Sequence, residues 1–185
     1  MDKEAFYMKR KIMKISLLTI VLCVAISSFA YAHTFGGKWG SNVGWWLDSS
    51  NSYYSTFQSA TSHWNNAANN VSYYQTTMTS ATVIPTVDFY GSTGWDGYGK
   101  PGPDPFSGTY TYGEVKLNRT YTDNYASNKK VAVATHELGH ILGLAHTGTT
   151  SYQSIMYNSA GYAYDNWGIY YPVSHDTTDI NNLYP

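Results

Sequence analysis

Eleven consecutive residues, His136-Glu137-Leu138-Gly139-His140-Ile141-Leu142-Gly143-Leu144-Ala145-His146, restrict this chain more than any other stretch. On a helix, His136 and His140 stand one turn apart, so both imidazoles leave the same face and can bind one metal ion. Glu137 lies beside that face and suits a general base acting on a metal-bound water rather than a ligand. Gly143 lets the backbone leave the helix sharply, with positive φ, and the turn would swing His146 back as a third ligand. Three protein ligands leave one position open, as in a catalytic zinc site; a structural zinc is normally closed by four. One zinc ion is therefore expected. Three histidines merely hydrogen-bonded on a buried helix would not need this spacing.

The first 32 residues differ from the rest. Lys3, Lys9, Arg10, Lys11 and Lys14 precede an uncharged apolar run from Ile15 to Ala30, and Ala30-Tyr31-Ala32 is a small-x-small cleavage signal. Residues 1–32 thus read as a secretory signal peptide and residues 33–185 as one catalytic domain. The run is short for a bilayer span and ends in a cleavage site, so an extracellular protein without stable membrane association is expected. Cys23, the only cysteine, lies inside that run, so neither a disulfide nor a thiol latch can sit in the mature chain. The mature chain keeps six basic and ten acidic residues, a mildly acidic balance that argues against nucleic acid as a partner. Nineteen tyrosines and six tryptophans make either an aromatic core and surface or a sticky face for a polymeric substrate.

In order from His33, Lys38-Trp39 and Val43 to Leu47 suggest a first strand, ended by the turn cluster Asp48-Ser49-Ser50-Asn51. Ser52 or Ser55 could cap a helix running to about Asn69, with Phe57, Ala60, Trp64, Ala67 and Ala68 as its buried stripe. His63 beside that stripe reads as a packing residue. Strands are expected at Val71 to Gln75 and from Thr82 through Tyr90, and the order strand, helix, strands is that of an α/β layer. Gly91 to Gly113 has no regular period and reads as a long loop. Gly113 to Asn118 alternates apolar and polar and reads as a strand. Ser127 or Asn128 can cap the metal-site helix, whose Val131, Ala134, Leu138, Ile141 and Leu142 face the core.

The full H-E-x-x-H-x-x-G-x-x-H pattern resembles that of the metzincin metalloproteases. Ser154-Ile155-Met156-Tyr157 is similar to their Met-containing turn, and Thr147, Met156-Tyr157 and the terminal Asp176, Ile180 and Leu183-Tyr184 look most like the matrixins. The resemblance implies an α/β (α+β) metzincin fold: a twisted mixed sheet with a backing helix and an active-site helix, then a small C-terminal subdomain. It implies Met156 as an apolar floor beneath the imidazoles, and Val115, Lys116, Leu117 and Asn118 as an edge strand above the cleft that pairs with extended peptide. Asn158 to Pro172 would form the wall of the main specificity pocket. Asn158 stands where some metzincins have a tyrosine ligand, so no such ligand is expected. Matrixins also carry a second zinc on loop histidines and calcium sites. With no histidine between His63 and His136, the second zinc is not carried over; Asp88, Asp96 and Asp104 could still contribute oxygens to calcium, but their spacing matches no calcium loop. Asp176 would cap the last helix or, as in that family, pair with the mature N-terminus.

The expectation is a monomeric, secreted zinc endopeptidase acting on protein or peptide substrates. Its rival is a secreted aromatic-rich module that binds polysaccharide or cell wall around a structural metal.

Overall fold

The computed structural model describes residues 33–185, and the expected signal peptide lies outside them. The elements are β1 (Lys38–Trp39), β2 (Val43–Trp45), α1 (Tyr54–Ala67), β3 (Tyr73–Gln75), β4 (Thr86–Asp88), β5 (Gly97–Gly102), β6 (Thr109–Tyr110) and β7 (Tyr112–Asn118). Then come α2 (Arg119–Thr122), α3 (Ser127–Ile141), α4 (Ala160–Trp167) and α5 (Ser174–Leu183).

β2 pairs in parallel with β3, and β7 runs between parallel β4 and antiparallel β5. Val83 bridges Trp45 on one side and Gly113 on the other, which joins the two groups into one mixed sheet. Its β2 is wholly buried, as a strand covered on both faces should be. The stripe Phe57, Ala60 and Trp64 of α1 is buried at helical spacing, and the Trp64 indole donates to the carbonyl of Thr135 on α3 at 2.7 Å. The sheet, α1 and α3 thus enclose one core, the α+β arrangement that the sequence pattern implies.

Several local expectations change. No serine caps α1; Asn51 Oδ1 accepts from the Tyr53 N–H at 2.9 Å instead. Likewise α3 begins at Ser127 itself, without a side-chain cap. Gly91 to Gly113 is not one loop, since it contains β5 and β6. Glycine and proline spoil its periodicity, yet the six residues of β5 pair in unbroken register with β7.

The edge-strand assignment is also corrected. Val115, Lys116, Leu117 and Asn118 belong to β7, whose two sides are already paired with β4 and β5. Its backbone groups are spent on the sheet, and Val115 and Leu117 point into the core. Lys116 pairs with Glu114 at 2.5 Å and lies over the Tyr98 ring. Asn118 is fully buried, where its side chain donates to Gly91 O and Thr93 Oγ1 and accepts from the Tyr90 and Thr120 N–H groups. The edge strand is β5, and Pro101 is tolerated there because an edge has N–H positions that need no partner.

Candidate active site

A helix leaves its last carbonyls without intrahelical donors, and a buried helix end must find others. Here aromatic side chains and the backbone of the following turn share that task. Tyr73 OH donates to Leu138 O at 2.7 Å, Trp39 Nε1 to Ile141 O at 2.7 Å, and Tyr184 OH to Leu142 O at 2.8 Å. The Gly143 and Leu144 N–H groups close on His140 O and Gly139 O. Gly143 has φ of 101° and its α-carbon faces the carbonyl of Gly37, so both conformation and space demand glycine. Trp39, Tyr73 and Tyr184 are thus used inside, anchoring the end of α3, while Tyr74, Tyr98, Tyr112, Tyr162 and Tyr171 are exposed.

That turn delivers His146. The Nε2 atoms of His136, His140 and His146 stand 3.1 Å apart in all three pairings. His136 Nδ1 donates to Ile155 O at 2.7 Å and His140 Nδ1 to Leu144 O at 2.8 Å. A carbonyl only accepts, so both protons sit on Nδ1 and the Nε2 lone pairs converge. Burial holds His136 well below the usual imidazole range, lowers His140 to about 4 and also lowers His146. Neutral imidazoles with converging lone pairs are a donor set for a cation. A tetrahedral zinc with bonds of about 2.0–2.1 Å spaces its nitrogens roughly 3.3 Å apart, close to the separation here.

Glu137 is buried against β5. A Cβ on Gly97 would collide with its carboxyl, and one on Gly99 with its carbonyl, so these two glycines let the edge strand lie directly on the helix. Burial raises the Glu137 carboxyl well above its ordinary range, and the charge of Asp96 adds to the effect. The three histidines and Glu137 open into a cleft of about 410 Å³ whose other walls include Phe35, residues 94–99 and residues 158–160. The sequence reading missed the part played by Phe35, Asp96, Gly97 and Gly99. A signal existed for two of them: glycines two apart in a strand share a face, and a bare face marks close approach of another element.

Met156 is buried, and its sulfur occupies the space beside Gly139, between the two helical histidines in sequence. The turn holding it is pinned by Asp176, which accepts from Ser154 Oγ at 2.5 Å and from the Ile155 and Val173 N–H groups at 3.0 and 2.9 Å. Burial raises the Asp176 carboxyl against the lowering effect of these donors. Asp176 thus acts at the start of α5, as the cap reading has it, while the His33 main-chain nitrogen meets Asp179 instead, at 3.2 Å.

From Asn158 to Pro172, only the first residues reach the cleft; α4 follows, capped by Ser159 Oγ, which accepts from Tyr162 N–H at 3.2 Å. The three loop aspartates are not brought together. Asp88 accepts from Phe89 N–H, Asp96 from Tyr125 OH, and Asp104 from Phe106 N–H and Ser107 Oγ. His63 is half-buried against Tyr170 and Tyr171, in keeping with a packing role.

The Matrixin family model matches residues 45–185. A search of curated proteins finds no relative matching this chain. The family match spans the backing helix, the three-histidine helix, the Met-containing turn and the closing helix, so the chain belongs to the matrixins, metzincin metalloproteases that cleave proteins with zinc.

Proposed function

We propose that the mature chain is a secreted endopeptidase in which His136, His140 and His146 hold the catalytic zinc and Glu137 is the general base. The observation that carries this reading is the equal 3.1 Å spacing of the three Nε2 atoms beside a buried carboxyl at the floor of an open cleft. Zinc bound by His136, His140 and His146 would supply an activated water, with its pKa lowered toward about 7, and a Lewis acid for the carbonyl under attack.

The residues of the chain do the rest. Glu137, buried beside the histidines and against β5, takes a proton from the attacking water. The same carboxyl then passes that proton to the leaving amine. The free side of β5 offers backbone groups at Gly97, Tyr98 and Gly99, where an extended peptide can add as a further strand. Such pairing holds a substrate main chain whatever its side chains, which leaves selectivity to the wall at residues 158–160. The rival polysaccharide module accounts for neither the converging histidines nor the buried carboxyl, although exposed rings such as Tyr74, Tyr98, Tyr112 and Tyr171 leave it an aromatic surface to use.

Purified protein incubated with casein or gelatin tests the activity: cleavage should stop with a chelator and return with zinc. Chelator-resistant cleavage, or none alongside firm retention on insoluble polysaccharide, would overturn the reading. N-terminal sequencing of protein from the medium should begin at His33, and an intact leader there would remove the secretion proposal.

A further inference from the structure

A second group of metal-capable donors lies outside the cleft, formed by His33, His175 and Asp179. His33 Nδ1 is 3.2 Å from Asp179 Oδ2, His175 Nε2 is 3.3 Å from the same oxygen, and the two ring nitrogens are 3.4 Å apart. These separations bracket the roughly 3.3 Å expected between ligands of a tetrahedral ion with bonds of about 2.0–2.1 Å. The His33 main-chain nitrogen is also 3.2 Å from Asp179 Oδ2, so the backbone and ring nitrogens of one residue face one point.

The surroundings resemble those of a ligand set. On its far side His33 Nε2 is 3.3 Å from Tyr152 OH, and the Tyr152 ring stacks on His175 with centroids 3.9 Å apart. A polar group fixing the second ring nitrogen is the usual outer support of a metal-bound histidine. Asp179 is buried, whereas both histidines are partly exposed and give an ion a way in.

We propose that His33, His175 and Asp179 form a second divalent transition-metal site, for an ion of the zinc type, completed by an amine that leader removal creates. This rests on cleavage after Ala32. Hydrolysis of the Ala32–His33 bond by a separate export peptidase adds water across it, leaving a carboxylate on Ala32 and an amine on His33. An amide N–H can only donate to Asp179, but the free amine has a lone pair. With Nδ1 it closes a six-membered chelate ring, and imidazole, amine and carboxylate donors suit zinc or copper(II). The bound ion would tie the chain start to α5. His33 O accepts from Ala145 N–H at 2.7 Å and Phe35 N–H donates to Gly143 O at 2.9 Å, so the tie extends to the loop that carries His146.

Zinc counts and affinities on exported protein with a verified His33 N-terminus test the proposal, using zinc alone as the probe. Wild type should hold two ions. His175→Ala and, separately, His175→Gln should each hold one and retain casein cleavage, whereas His146→Ala should hold one and lose cleavage. A version whose processing leaves one extra alanine before His33 should bind the second ion at least ten-fold more weakly. One ion in wild type, or two in both His175 variants, would overturn the site. Equal affinity with the extra alanine would overturn the role of the amine. A failed cleavage assay with two ions still bound would count against the endopeptidase reading alone.

Discussion

His136, His140 and His146 bring three nitrogens to 3.1 Å from within eleven residues, while His33, His175 and Asp179 bring donors to 3.2–3.4 Å from the two ends of the described chain. In the first group backbone carbonyls hold the Nδ1 protons of His136 and His140, and aromatic side chains hold the helix beneath. In the second, the chain start must lie along residues 143–145, and a tyrosine hydroxyl does the work of a carbonyl. Similar spacing can thus come from a rigid element or from assembly of distant ones. The first should tolerate little change nearby, and the second should be separable from the fold.

The largest effect on the rigid side is expected at Asp176. Its replacement by Ala leaves the Ser154 hydroxyl and the Ile155 and Val173 N–H groups without their acceptor, at a cost of about 3 kcal/mol or more. Urea unfolding checks this, and Asp176→Asn should recover part of the loss. Gly97→Ala comes next, since its methyl would strike Glu137 and Val133. It should cost about 1–3 kcal/mol of stability and lower kcat roughly ten-fold or more, read from thermal unfolding and peptide cleavage together.

A smaller effect comes with pH. Burial keeps His136 and His140 neutral, so the metal-free fold should lose stability as pH falls below about 6.5 and on through about 4, where His140 protonates. Protons compete for the zinc site over the same acid range. Zinc release centred above about pH 6.5 would show solvated imidazoles and break the contrast. The smallest effect on the fold is expected for His175→Ala, whose side chain is partly exposed. Less than about 1 kcal/mol should be lost while zinc stoichiometry falls from two to one. A loss as large as that of Asp176→Ala would show that the second group is part of the scaffold.

How much could be read beforehand follows from the same contrast. Where partners are close in sequence and share one helical period, as for His136, Glu137 and His140, chemistry and geometry were both legible. The stripe of α1 and the strand character of β7 were legible for the same reason. Register across a sheet is not local: alternation in residues 113–118 identifies a strand but not its neighbours, and the edge position that the family resemblance implies for it belongs to β5. β5 went unseen because Gly97, Gly99, Pro101 and Gly102 weaken every strand preference, and two of those glycines are there to let Glu137 approach. The second donor group was hidden by separation alone, His33 and His175 being 142 residues apart.

The most direct measurement of the central claim is zinc content and casein cleavage on one preparation of Glu137→Gln. Glutamine keeps the shape of the buried side chain but cannot take a proton from water. The first-group zinc should remain bound and the unfolding transition unchanged, while cleavage falls by about 10³-fold or more. Cleavage near the wild-type rate with zinc in place would contradict the assignment of Glu137 as the base.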